Sequence, residues 1–101
     1  MTTRESRIYV GRLDGGVPAV YAVDATSVSR LHPGERFDWG ADGGDAVQVL
    51  ARALLTDAAG SAPHPDVAHR FSAQILSRLP RDGFALQRET VNAWLRRVVT
   101  V

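Results

Sequence analysis

The chain has 101 residues, 45% hydrophobic and 23% charged, which suits one modest core and no second domain. All twelve basic residues are Arg, there is neither Lys nor Cys, and the formal charge is +1. Schiff-base and P-loop lysine chemistry, thiolate catalysis, disulfides and cysteine-based zinc sites are therefore excluded, and no global field draws the chain to nucleic acid or an anionic membrane.

The first residues, Met1 to Arg7, are polar, and residues 1–6 are read as a disordered segment ahead of a single domain spanning 1–101. No apolar run approaches the roughly 18 residues of a membrane span. A cytoplasmic protein without a membrane partner is expected.

Ile8-Tyr9-Val10 and Ala19-Val20-Tyr21-Ala22-Val23 are rich in β-branched and aromatic residues, and Asp14-Gly15-Gly16 between them predicts a hairpin. Asp24-Ala25 predicts a second turn, and Thr26-Ser27-Val28-Ser29 a third short strand closing a meander over about residues 7–30. Asp45, with Gln48 three residues on, reads as a capping box. Val47, Leu50, Ala51, Leu54 and Ala58 then share one face of a helix over about 45–59, which Gly60 ends. Val67, Phe71, Ile75 and Leu79 predict a second helix over about 65–79, with Pro65 in its first turn and Pro80 after its end. Phe84 and Leu86 read as apolar anchors leading into a third helix over about 88–98, striped by Val91, Trp94, Leu95 and Val98. The expected architecture is α+β: a small antiparallel hairpin or meander followed by three helices.

Tyr9-Val10-Gly11-Arg12, Phe37-Asp38-Trp39-Gly40, Leu79-Pro80 and Trp94-Leu95 together resemble a family of small uncharacterised bacterial and phage proteins. Its members pair a Tyr-x-Gly-Arg strand with a central Phe-x-Trp-Gly-x-x-Gly motif, a helix and a Leu-Pro…Trp-Leu ending. The resemblance covers most of the chain. It departs at Gly40-Ala41-Asp42-Gly43-Gly44-Asp45-Ala46, which lacks the tyrosine and proline of the family's Gly-Tyr-Gly-Gly-Ser-Gly-Pro loop. The resemblance implies a fold and a phage or mobile-element setting, and no activity.

The glycine turn ahead of the first helix invites an anion site, but Asp38, Asp42 and Asp45 surround it and neither phosphate-loop spacing is present. The same aspartates lack the EF-hand spacing for a cation. His64 and His69 sit about 140° apart on a helix, so they share no metal-binding face. No catalytic residues, metal site or cofactor are assigned, and the chain is read as a non-enzyme.

The leading expectation is a protein-interaction module, an accessory or inhibitory protein of phage or mobile-element origin. It would contact another protein through Phe37, Asp38, Trp39 and Asp42, or pair with a second copy through the sheet edge. The alternative is a nucleic-acid-binding regulator using Arg88, Arg96 and Arg97. A weaker one is binding of a small anionic ligand or cation at the glycine turn.

Overall fold

The computed structural model describes residues 6–99. Most of the segment expected to be disordered, residues 1–5, lies outside the described residues; Ser6 is exposed and outside any strand or helix.

Strands β1 (Ile8–Asp14) and β2 (Val17–Val23) pair antiparallel in a register that sets Ile8 opposite Val23 and Asp14 opposite Val17. The two-residue connection is Gly15-Gly16, both at positive φ (60° and 84°), as a tight hairpin turn requires. Asp24 builds the next turn by accepting the backbone N–H groups of Thr26 (3.0 Å) and Ser27 (2.9 Å). Strand β3 follows as Val28–Arg30, two residues later than the sequence suggests, because Thr26 and Ser27 are spent on that turn.

Helix α1 (Asp45–Ala59) has the expected bounds, yet Asp45 is its first helical residue rather than its cap. The cap is Gly44, with no side-chain hydrogen bond, at φ 58° and ψ −138°, a conformation that favours glycine. The capping box therefore does not form, and Asp45 contributes only its charge near the positive end of the helix. Helix α2 (Pro65–Gln74) is capped by His64, whose Nδ1 accepts the Asp66 N–H at 3.1 Å. It ends five residues early: Ile75 turns out of the helix and a 3₁₀ turn, Leu76–Arg78, finishes the segment.

The largest departure lies between α2 and the last helix, α3 (Arg88–Val99). Gly83–Gln87 is a strand, β4, which pairs antiparallel with β1 and sets Gly11 opposite Phe84. The sheet thus has four antiparallel strands in the order β3-β2-β1-β4. The fold is α+β, but the helices do not simply follow the sheet, since its fourth strand enters between two of them.

The helices cover one face of this sheet. Tyr9, Val20, Ala22 and Phe84 join Trp39, Leu50, Leu54, Leu55, Phe71, Leu76, Val91 and Trp94 in one buried cluster. No helix among the described residues is long and apolar enough to cross a membrane.

Candidate interaction surface

Alternation along a strand sends successive side chains to opposite faces, so the residues between those of the buried cluster point away from the helices. The registers arrange them in rows. Val28, Val23, Ile8 and Gln87 lie across the sheet in one row; Arg30, Tyr21, Val10 and Ala85 form the next; Ala19 opposite Arg12 follows, then Val17 opposite Asp14. None of these residues belongs to the helix-side cluster or the hydrophobics packed against it. The centre of the outer face is therefore aliphatic and aromatic. Among the described residues, Val28 and Val17, at 67% and 59% exposed, are the large hydrophobics most open to solvent. One side of the patch is polar: Tyr21 Oη donates to Asp14 Oδ2 at 2.8 Å, and Arg12 Nε meets Asp14 Oδ1 at 2.7 Å. That hydrogen bond, above all, holds the Tyr21 hydroxyl above its ordinary pKa.

The central turn has a different place. Trp39 is completely buried. Its Nε1–H donates to the Pro80 carbonyl at 2.9 Å, its ring meets the edge of Phe84 at 5.0 Å, and the Arg81 guanidinium lies 5.8 Å from the ring centroid. Gly11 lies beneath Phe84, and a Cβ there would overlap the phenyl ring. Asp38 accepts from the Trp39 N–H and from Arg81, both at 2.8 Å, while the Gly40 N–H reaches the Leu76 carbonyl at 2.9 Å. Of the residues that carry the family resemblance, Gly11, Asp38, Trp39, Gly40 and Pro80 thus meet at one internal joint between sheet and helices. Trp39 is out of a partner's reach, Asp38 is held by Arg81, Phe37 packs on the core, and of the four expected contact residues Asp42 is the exposed one.

A second joint ties β1 to α1. Tyr9 is fully buried, and its hydroxyl donates to Asp57 Oδ2 at 2.6 Å; Arg7 Nη1 donates to both Asp57 oxygens and Arg7 Nη2 to Asp24. Burial first, then the hydrogen bond to the Asp57 carboxylate, pushes the Tyr9 hydroxyl well above its ordinary range. The backbone N–H of Thr26, followed by Ser27 and Arg7, holds the Asp24 carboxyl down at about 2. Asp57 accepts three hydrogen bonds from two residues and so ties the start of β1 to α1.

The three arginines of the alternative reading do not form one face. Arg88 opens α3 half-buried, and at 100° per residue Arg97 falls about 180° around the helix from it. Arg96 and Arg97 line one depression beside Glu89, Arg97 also shares a second with Arg70 and Gln74 of α2, and Arg96 also borders a groove of about 660 Å³ between α1, α2 and α3. Among the described residues no three His, Asp or Glu side chains gather as a metal ion would need.

The outer sheet face was missed from sequence, although a signal existed. Ala19 to Val23 is apolar at five consecutive positions, the pattern of a strand covered on both sides, whereas a half-solvated strand alternates.

The model of a family of unknown function, DUF6166, matches residues 3–97, and the chain belongs to that family. No curated protein and no solved structure matches it.

Proposed function

We propose that this member of the DUF6166 family is a non-enzymatic protein-interaction module whose contact surface is the outer face of its sheet. The supporting observation is the row arrangement: Val28, Val23, Ile8, Val10 and Tyr21 form a contiguous patch on the side away from all three helices. An antiparallel sheet that faces water normally carries polar residues there, and a contiguous exposed apolar patch rimmed by polar groups marks an interaction site. Arg30 on the rim favours a protein partner with a flat apolar centre and an acidic flank. The aromatic-acidic turn takes a lesser part, through Asp42 alone. An accessory or inhibitory role in a bacterial cytoplasm, in a phage or mobile-element setting, belongs to the same proposal.

The test is capture of partners from the source cell by the wild-type chain and by V10K and V28D. Loss of the same captured protein with both variants, at unchanged circular dichroism, supports the outer face. Its full retention by both overturns that assignment.

A second reading has one observation in its favour, the shared depression that brings Arg70 and Arg97 together. A nucleic-acid-binding surface there predicts affinity that falls steeply with salt. No shift of a labelled duplex or single strand at low salt disposes of it.

A further inference from the structure

We infer that two copies of this chain associate through β4, which pairs with itself about a two-fold axis at Ala85 and joins the two sheets into one of eight strands. The inference goes beyond the partner proposed for the outer face and stands without it.

The two edges of the sheet differ. β3 is three residues long and ends in Arg30, the short, charged form that discourages strand addition. β4 is five residues, Gly-Phe-Ala-Leu-Gln, with neither a charge nor a proline. The phase of its ladder is set by the Arg88 N–H, which donates to the Arg7 carbonyl at 2.8 Å. Arg7 and Arg88 are thus a hydrogen-bonded pair, and so, at every second step, are Tyr9 with Leu86 and Gly11 with Phe84. The intervening residues Gly83, Ala85 and Gln87 direct their backbone groups away from β1. Gly83 gives its N–H to the Pro80 carbonyl at 3.2 Å, closing the turn before the strand. The N–H and C=O groups of Ala85, the N–H of Gln87 and the C=O of Gly83 remain aimed along the free edge.

Those groups match their own copies. An antiparallel pair centred on Ala85 sets Ala85 opposite Ala85, exchanging two hydrogen bonds, and Gln87 opposite Gly83, adding one at each end. Phe84 then falls opposite Leu86 of the second copy, an apolar pair, and no like charges face each other within the strand. A depression of about 740 Å³, lined by Gln87 and by Glu89, Thr90, Ala93, Arg96 and Arg97 of α3, leaves room beside the strand's end.

Because the chain has no cysteine, a single introduced thiol reports the register directly. A hydrogen-bonded antiparallel pair holds its Cα atoms about 5.5 Å apart. A short bifunctional thiol cross-linker should therefore join A85C into a covalent dimer and leave S29C, on the opposite edge, monomeric. Sedimentation of the full chain should show a dimer, and A85K, which sets like charges against each other on the axis, should weaken it by at least about tenfold while leaving circular dichroism unchanged. A monomeric wild-type chain, a dimer as tight in A85K as in wild type, or cross-linking of S29C as complete as that of A85C would each overturn the inference. V28D should leave the dimer intact, so failure of the outer-face proposal and failure of this one are read separately.

Discussion

The two faces of the sheet are built from similar residue types and differ in what they meet. On the helix side, the polar atoms of large side chains are anchored inside: Tyr9 to Asp57, Trp39 to the Pro80 carbonyl, and Trp94 Nε1 to Gln74 at 3.0 Å. On the outer side, Ile8, Val10, Val23 and Val28 have no second layer above them among the described residues, and the Tyr21 hydroxyl turns to a rim carboxylate. The chain thus carries apolar sheet surface for two contacts and spends its helices on one. Substitutions of similar size should therefore cost very different amounts on the two sides.

The largest effect is expected from Trp39→Ala. It removes a fully buried indole, leaves the Pro80 carbonyl without its donor and opens space beside Phe84. Urea unfolding should show a loss of about 3–5 kcal/mol. A loss below about 1 kcal/mol would mean that Trp39 can be exposed without penalty, and would return it to the set of contact residues.

Gly11→Ala comes next, at about 1–3 kcal/mol, since the added methyl overlaps a phenyl ring already pinned between the sheet and Trp39. Phe84→Leu in the same background should recover part of the loss. The double-mutant cycle measures that recovery, and strict additivity would show that the two positions do not meet.

Much of this helix-side architecture was legible. The spacing of Val47, Leu50, Ala51 and Leu54 reads directly as the buried stripe of α1, and Gly15-Gly16 as the hairpin turn. β4 was not, because five residues without a turn before the helix at Arg88 give periodicity too little length to act on. The partners of Trp39 were not either: a tryptophan between Asp and Gly reads either as a cover for the helix start or as a docking residue, and only the fold brings Pro80 and Phe84 against it. The outer face was hidden for another reason. Local patterning reports that a strand is apolar on both sides, but only the count of layers shows that one side is left open.

Tyr9→Phe sharpens the comparison at intermediate size. It deletes one hydrogen bond to Asp57 while Arg7 still pairs with the carboxylate, so a loss of about 1–2 kcal/mol is expected at neutral pH. The pH dependence carries a sign of its own. A hydroxyl whose pKa is raised on folding contributes stability that is complete below its ordinary value of 10 and is lost as pH rises from there toward the folded value. The wild type should therefore lose stability above about pH 10 more steeply than Tyr9→Phe does. Parallel alkaline limbs for the two proteins would show that the Tyr9 hydroxyl is not held in its neutral form.

The smallest expected change in stability is also the one that bears most on function. Val28 lies on the outer face at 67% exposure, opposite Val23. An aspartate there meets water in both the folded and the unfolded chain, so Val28→Asp should move the unfolding free energy by no more than about 0.5 kcal/mol, against the several lost at Trp39. A loss above 1 kcal/mol would mean that the outer face is already covered in solution, and the two sides of the sheet would no longer differ in kind. If the cost is near zero, the apolar character of this face does nothing for the isolated fold. Its presence then has to be explained by what the face meets outside the chain, and loss of partner capture in the same variant supplies that explanation.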